Sequence, residues 1–490
     1  MRPVVSSLIR VSALGLSLCL SGCMLGPDYV RPSIETSATF RFSEGAQSQI
    51  ADTAWWEQFG DPVLNELIST ALAQNKDLQI AAARVDEFRG QFVSTRSQLF
   101  PQVSAGFNAG RQRVSPLAQA SLPPGVGTAY DSFNATLPIS WELDVFGRVR
   151  RQTEAARASL FASEEGRRAT ILTLVSSVAT SYINLRNLDQ QLEIANATVA
   201  SRAGSVKVFE LRFRAGEISQ VELAQSQSEY EASLAEVPAI EAQIGQQEDA
   251  LSVLLGRNPG PVLRGRTLET LQAPNVPAAL PSELLERRPD VLQAEQNLIA
   301  ANALIGAARA LYFPQISLTG LFGSTSTQLA KLFSGPANTW SFAGALTAPI
   351  FTAGNIAGQV NQAQAQQQEA LFSYQKTIQS AFQEVSDALI GVQKSRERLA
   401  AQQRQVDALI AYSKLARARY EGGYTSYMEV LDAERSLFNA QLGYTQTRSN
   451  EYISLVTLYK AMGGGWGVDT PAGSRPGGDV AQAFEGAASQ

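Results

Sequence analysis

Residues Ile171-Leu-Thr-Leu-Val-Ser-Ser-Val-Ala-Thr-Ser-Tyr-Ile-Asn-Leu185 lie within the segment from Gly147 to Gly256, and this segment decides the fold. Apolar residues recur at the a and d positions of one heptad register: Ile171, Leu174, Val178, Leu185, Leu188, Leu192, Val199, Val206 and Phe209. Over about five heptads, this pattern predicts a long helix packed along a seam against other helices. The turn Arg214-Ala215-Gly216-Glu217 then predicts that the chain folds back into a second helix.

The same construction recurs later in the chain. Arg212-Phe-Arg-Ala-Gly-Glu-Ile-Ser219 returns as Arg419-Tyr-Glu-Gly-Gly-Tyr-Thr-Ser426, displaced by 207 residues. Earlier, Leu99-Phe-Pro-Gln102 returns as Tyr312-Phe-Pro-Gln315, displaced by 213. The second seam consists of Leu371, Tyr374, Ile378, Ala381, Val385, Ala388, Val392, Leu399, Val406 and Leu409. We therefore predict a tandem internal repeat, each half reading helix, strand, loop, strand, long helix, tight turn, helix.

Two strand pairs, 100–144 and 313–351, alternate apolar and polar residues. The apolar face is predicted to carry Phe133, Leu137, Ile139, Trp141, Trp340, Phe342, Leu346 and Ile350. Alternation alone also fits a half-buried soluble hairpin. Aromatic residues at the strand ends, and the long Pro/Gly/Ser-rich loop from Arg111 to Ala129, favour membrane-spanning strands whose apolar face contacts lipid.

Four strands cannot close a barrel, and a lipid-facing sheet cannot leave its edges unpaired. The sequence therefore predicts an oligomer. A dimer would supply about eight strands, too few for an open lumen, and a trimer about twelve, enough for a water-filled passage; a tetramer stays open on this argument. The long helix from Gly147 to Arg212, 66 residues, reaches roughly 100 Å, which two shorter helices laid end to end would match.

The composition excludes several classes of function. Histidine is absent, and the two cysteines, Cys19 and Cys23, both lie near the N-terminus, so we expect no catalytic triad, no metal site and no cofactor. We therefore expect no enzymatic activity. The net charge of −5 argues against nucleic-acid binding.

The N-terminus reads as an export leader. Residues 1–22 have a short apolar core, too short for a permanent membrane helix, and the lipobox-like Leu20-Ser-Gly-Cys23 spans the end of this leader. Cys23 is predicted to carry lipid, with Met24 after it favouring the outer membrane of a Gram-negative bacterium.

Proline and glycine residues, which interrupt helices, indicate the remaining segment boundaries. We predict an extended lipidated strap over 23–61, a first repeat over 62–256 whose helix begins at Pro62 and runs to about Gln98, a Pro-rich connector over 257–281, a second repeat over 282–462, and a disordered tail over 463–490.

Several local motifs carry a resemblance to a known family. They are Gly22-Cys-Met-Leu-Gly-Pro-Asp-Tyr-Val-Arg-Pro32, Trp55-Trp56, Asp61-Pro-Val-Leu64, Asn75-Lys-Asp-Leu78, Pro138 with Phe146-Gly-Arg148, Arg288-Pro-Asp290 with Ala294-Glu295, Phe313-Pro-Gln315, the two turns, and Leu431-Asp-Ala433. Together they cover the chain from Cys23 to Gly465, and it resembles the outer membrane factor family of TolC/OprM/NodT-type efflux lipoproteins.

The resemblance implies an α+β membrane protein: a homotrimer with a twelve-stranded barrel and long periplasmic coiled-coil helices forming a tunnel. It further implies a periplasmic adaptor and an inner-membrane pump, usually of the resistance-nodulation-division class, as partners of a passive, gated efflux duct. A duct for type I protein secretion and a periplasmic coiled-coil scaffold or adaptor are the alternatives.

The resemblance also directs attention to the two turns. The expected adaptor contacts are Arg214, Ala215, Gly216, Glu217, Glu421, Gly422, Gly423 and Tyr424. Candidate gate residues are Arg214, Glu217, Arg419, Glu421, Glu429 and Asp432. Some relatives have an acid where this chain has Thr425, so that part of the gate pattern is missing.

Overall fold

The computed structural model describes residues 24–34, 40, 54–115, 128–276 and 281–464, the side chains of 281–283 excepted. The predicted leader 1–22, Cys23, most of the Arg111–Ala129 loop and residues from 465 onward lie outside this part. The chain forms two compact units. The first comprises the residues up to Ser33, Val85–Ser163 and Ala294–Tyr374, and the second comprises Ile34–Arg84, Glu164–Gln293 and the residues from Gln375 onward.

The helices follow the predicted order. They are α1 Pro62–Gln74, α2 Lys76–Ser97, α3 Arg148–Arg214, α4 Gln220–Leu254, α5 Pro281–Arg287, α6 Pro289–Ala310, α7 Asn355–Glu421 and α8 Tyr427–Ala461. Both α3 and α7 have 67 residues, and both α4 and α8 have 35. Their bounds keep the displacement of 207, whereas α2 and α6 keep that of 213. The strands are β1 Gln102–Val103, β2 Gly106–Arg113, β3 Ala129–Leu143, β4 Gln315–Ser326 and β5 Asn338–Thr347.

The helix predicted from Pro62 to Gln98 is wrong as a continuous element. It begins as expected, with the Asp61 side chain accepting from the Val63 amide, but it breaks at Asn75 between α1 and α2. The Asn75 side chain donates to the Leu254 carbonyl (3.0 Å) and accepts from the Leu78 amide (3.0 Å). These bonds favour an extended ψ of 135° at Asn75, so a tertiary contact interrupts the helix.

The sheet is antiparallel, with β1 and β2 on one side of β3, followed by β4 and β5. The part of the first predicted strand pair, 100–144, that precedes the loop is divided into β1 and β2. At the interruption, the Ser104 amide donates to the Pro138 carbonyl (3.1 Å), but Pro138 has no N–H to return the bond. The proline thus weakens the ladder at one position while the pairing register continues on both sides.

The strand registers gather the apolar residues of β3, β4 and β5 on one face. Leu137 pairs with Phe322, and Phe322 pairs with Trp340. Ile350, predicted to belong to this strand face, lies beyond it, because β5 ends at Thr347. Pro349 lies two residues after this end and cannot donate a ladder hydrogen bond, which accounts for the early end.

The second unit contains the largest apolar core. Trp55, Trp56 and Phe59 are buried in a 3-10 helix, Trp55–Phe59, so the prediction of an extended strap up to Asp61 is wrong there. The Trp55 ring stacks on Tyr459 at 5.2 Å, and its Nε1 donates to the Gly464 carbonyl (3.2 Å). This packing draws the segment out of an extended conformation.

Asp61, fully buried in the second unit, ties α1 to the connector. Its carboxylate accepts from the Tyr182 hydroxyl (2.7 Å) and from the amides of Val63 and Arg266 (both 2.9 Å). A Cβ on Gly265 would come within 2.0 Å of this carboxylate, so the close approach requires glycine there.

The predicted disordered tail begins too early. Gly463, at φ 74°, and Gly464 close the end of α8, with the Gly464 amide donating to the Tyr459 carbonyl (3.0 Å). Residues from 465 onward lie outside the described part. No helix among the described residues has the length and hydropathy to cross a lipid bilayer.

Candidate functional site

The first of the two predicted turns connects α3 to α4. Gly216 adopts φ 77°, a left-handed conformation that glycine tolerates without strain, and the Glu217 amide donates to the Arg212 carbonyl (2.9 Å). Ser219 then caps α4: its hydroxyl accepts from the Glu222 amide (3.3 Å), and the Glu222 carboxylate accepts from the Ser219 amide (2.9 Å). This reciprocal capping box fixes the start of α4.

The second turn, between α7 and α8, repeats this backbone but not its side-chain bonds. Gly423 adopts φ 75°, and the Tyr424 amide donates to the Arg419 carbonyl (2.9 Å). Ser426 stands at the N-cap without a side-chain cap bond. The carboxylate of Glu429, which would complete a capping box, instead accepts from Arg419 Nη1 (3.1 Å) and from the Thr425 hydroxyl. The two turns therefore differ in how their following helix begins.

The structure brings some of the candidate gate residues into pairs. Arg419 contacts Glu429, and Asp432 pairs with Arg435 (3.1 Å). Glu217 lies 4.0 Å from Arg212, and Arg214 lies 4.0 Å from Glu210, both at the limit of an ion pair. The predicted adaptor contacts are exposed: Arg214, Ala215, Gly216, Glu217, Glu421, Gly422, Gly423 and Tyr424.

Beneath the turns, an aromatic cluster joins the two helical hairpins. Phe209 lies 4.2 Å from the Tyr427 ring and stacks on Tyr420 at 6.0 Å. Arg212 reaches the same group, with its guanidinium 5.8 Å from the Tyr420 ring centroid. Burial raises the pKa of Tyr427 above its usual value. The cluster fixes the α3–α4 hairpin to the α7–α8 hairpin near the turns.

Sequence reasoning did not single out this cluster or the ion pair Arg417–Glu434 beside it. The hydrogen bond that Arg417 donates to the Glu434 carboxylate raises the pKa of Arg417, although burial opposes this shift. Phe209 was predicted as a seam residue, but no periodicity indicates which residues of a second hairpin it meets. Arg417 and Glu434 lie 17 residues apart on different helices, outside any local charge pattern.

A groove of about 440 Å³ lies farther along the same hairpins. Its walls come from α3, α7 and α8 and include Glu193, Arg202, Lys414, Arg417 and Phe438. Both charge signs line it, and in the described part of the chain no cluster of His, Cys, Asp or Glu could hold a metal ion. The groove thus offers a mixed polar and apolar surface rather than reactive chemistry.

The second candidate region is the apolar face of the sheet. Leu137 and Ile139 are about two-fifths exposed, and Trp340 (67%), Phe342 (79%) and Leu346 (68%) are more exposed still. Phe133 and Trp141 are half-buried on the same face, and Ile350 is 95% exposed beyond it. Large contiguous apolar surfaces of this kind mark contacts with a membrane or with another chain.

The third predicted site, Cys23, lies outside the described residues. Met24 is the first residue the structure describes, and it packs against Gly147, where a Cβ would lie 3.0 Å from the Met24 side chain.

Comparison with known proteins identifies the family. The profile of the outer membrane efflux protein family matches residues 67–257 and 280–464. The toluene efflux pump outer membrane protein TtgC of Pseudomonas putida is 38% identical over 455 residues, covering 91% of this chain and 93% of TtgC. The probable outer membrane lipoprotein SilC of Salmonella typhimurium is 35% identical over 468 residues, covering 94% and 99%.

Solved structures agree with this assignment. The open state of the Neisseria gonorrhoeae MtrE outer membrane channel superimposes with a TM-score of 0.81 at 33% identity, covering 92% of this chain and 100% of that one. The long paired helices and the antiparallel sheet are thus shared with a channel of known structure. The chain belongs to the outer membrane efflux protein family.

Proposed function

We propose that this chain is the outer-membrane channel of a tripartite efflux system, a passive gated duct that carries small molecules from pump and periplasm to the outside. The observation that carries the proposal is the exposed apolar face shared by β3, β4 and β5. A coiled-coil scaffold would leave this face without a purpose, whereas a lipid-spanning sheet requires it.

The number of strands supports a homotrimer. Taking β1 and β2 as one interrupted strand, each chain supplies four strand positions, and β5 has no pairing partner on its outer edge among the described strands. Each unpaired backbone N–H or C=O group in lipid costs roughly several kcal/mol. The outer edges of the sheet therefore require pairing with strands of neighbouring chains. Three chains give about twelve strands, enough for an open lumen.

The exposed turns support docking of a periplasmic adaptor, which would link the duct to an inner-membrane pump of the resistance-nodulation-division class. The Arg419–Glu429 pair and the neighbouring acids Glu421 and Asp432 would control opening at this end. The name of TtgC favours small-molecule export over type I protein secretion.

A lipid on Cys23 would hold the N-terminus in the outer membrane. The lipobox-like residues before Cys23 support this modification, as does the name of SilC, an outer membrane lipoprotein. More than one acyl chain gives a lasting anchor, since a single chain holds only marginally.

The mass of the detergent-extracted protein, together with its gel migration before and after boiling, tests the proposal. We expect a trimer whose mobility changes on heating and which conducts ions across a planar bilayer. A water-soluble monomer or dimer without a heat shift or conductance would refute the channel and favour the scaffold.

A further inference from the structure

In the first unit, side chains of α3 and α6 hold residues 24–31, which follow Cys23. We call the site formed by Arg151, Glu295, Asn302 and Gly306 the seat. Arg151, on the first turn of α3, has a side chain only 2% exposed. Its guanidinium donates to the carbonyls of Leu25 (3.0 Å) and Gly26 (3.3 Å) and to the carboxylate of Asp28 (2.7 Å). A buried arginine of this kind is strongly held by charge-assisted bonds. The Leu25 amide also donates a backbone hydrogen bond to the Phe146 carbonyl (3.4 Å).

Close backbone approaches shape the floor of this seat. Gly26 adopts φ 96°, and a Cβ there would lie 2.4 Å from Gly306 Cα. Conversely, a Cβ on Gly306 would lie 2.4 Å from the Leu25 carbonyl oxygen and 2.9 Å from the Arg151 side chain. The N-terminal segment therefore crosses α6 at Gly26 and Gly306, and a side chain at either position would displace the segment from the helix.

A second group of contacts holds the end of the segment. The Glu295 carboxylate accepts from the Tyr29 hydroxyl (3.0 Å) and from Arg31 Nη2 (2.9 Å). Asn302, on the same helix, donates to the Pro27 carbonyl (2.9 Å). Glu295, Asn302 and Gly306 are spaced by seven and four residues, so they lie along one face of α6.

We propose that this seat positions the lipidated N-terminus, with Arg151 and Gly306 as its positioning residues. The seat holds Met24 against Gly147, which lies between the end of β3 at Leu143 and the start of α3 at Arg148. The acyl chains on Cys23 would then enter the membrane one residue from a fixed point below the sheet, instead of at the end of a free tether. The positioning role rests on the lipid proposed for Cys23; the seat itself does not.

Hydrogen exchange over residues 24–34 of the full-length, detergent-extracted protein tests the seat. Arg151→Gln removes the guanidinium bonds and should accelerate exchange in this segment on the order of tenfold. Arg157→Gln is the matched control: Arg157 lies on the same helix, and its guanidinium is 5.4 Å from the Phe161 ring centroid. It should leave exchange in the segment unchanged.

Gly306→Ala separates loss of the seat from loss of the fold. Alanine is a better helix former than glycine, so the substitution favours α6 while its methyl group displaces the segment. Gly358→Ala, a helical glycine with open space around its Cβ position, is the control. For Gly306→Ala we expect faster exchange in 24–34 and unchanged exchange in β3 and β4. For the control Gly358→Ala we expect unchanged exchange in all three segments. Wild-type exchange rates in both Arg151→Gln and Gly306→Ala would overturn the proposal.

A charge reversal tests the second group of contacts. Arg31→Glu and Glu295→Arg should each release the segment, and the double variant should restore protection; failure of the double variant to recover any protection would contradict a direct pairing. The mass of the mature N-terminal peptide is measured in the same samples. An unacylated wild-type protein with a protected segment would refute the lipid on Cys23 and leave the seat standing, whereas an acylated protein with an unprotected segment would refute the seat.

Discussion

Because the two turns differ in their side-chain bonds, we expect a serine-to-alanine substitution to destabilise the helix that follows the first turn and not the helix that follows the second. Ser219→Ala removes the hydroxyl that accepts from the Glu222 amide and disrupts the capping box of α4. Loss of an N-cap of this type costs about 1 kcal/mol. Ser426→Ala, at the position displaced by 207 residues, removes no side-chain cap bond, because Ser426 makes none. The sequences Ser219-Gln-Val-Glu222 and Ser426-Tyr-Met-Glu429 share the capping pattern, so sequence alone predicts equal effects.

Hydrogen exchange measured on the peptides 215–226 and 422–433 distinguishes these expectations. A loss of about 1 kcal/mol in local stability accelerates exchange by roughly fivefold. We expect this acceleration at the start of α4 in Ser219→Ala, and less than about twofold at the start of α8 in Ser426→Ala, within the scatter of surface substitutions. Equal acceleration in both variants, or a larger effect of Ser426→Ala, would refute the conclusion that Glu429 is held by Arg419 and Thr425 rather than by the cap.

Three further predictions concern the sheet, the lipid and the tip. Leu137→Lys should reduce the yield of membrane-assembled protein far more than Thr136→Lys, because charge facing lipid costs roughly 2 to 4 kcal/mol at the bilayer midplane; equal yields would contradict the lipid-facing assignment. Cys23→Ala should abolish incorporation of labelled palmitate, and retained label would show that the lipid lies elsewhere. Arg419→Gln should raise the conductance in planar bilayers by breaking the 3.1 Å pair with Glu429, while Lys394→Gln, which breaks the exposed pair Lys394–Glu397 (2.8 Å) elsewhere on α7, serves as the control; identical conductance in the two variants would exclude Arg419 from the gate.

Much of the helical architecture could be predicted because it depends on local periodicity. The predicted seam residues Val178, Leu185, Ala381 and Val385 are fully buried, as a heptad stripe requires. The strand face was also predictable, since alternation fixes which side chains share a face before any partner strand is known. These features need only the chain's own spacing.

The errors arise where a distant contact overrides a local pattern. The local signal at Asn75 is weak, a single asparagine that can cap the following helix, and the break also depends on the Leu254 carbonyl 179 residues away. The equivalent break at Arg288 precedes Pro289, which does carry a local signal. Arg151 follows Arg148 and Arg150 and reads as part of a solvated basic turn, yet its side chain is buried against Leu25 and Asp28.

The repeat helps to explain why the helices of the two halves agree while the turns do not. Helix length is constrained by packing along the whole seam, so α3 and α7 keep equal lengths of 67 residues. The turn residues on either side of Gly216 and Gly423, over 214–217 and 421–424, are exposed and are not under that constraint. Charge is reversed between Arg214 and Glu421, and the acid Glu217 is replaced by Tyr424. In the homotrimer proposed above, the two chemically distinct turns would alternate around the opening, and the proposed adaptor would contact two different sets of side chains on nearly the same backbone.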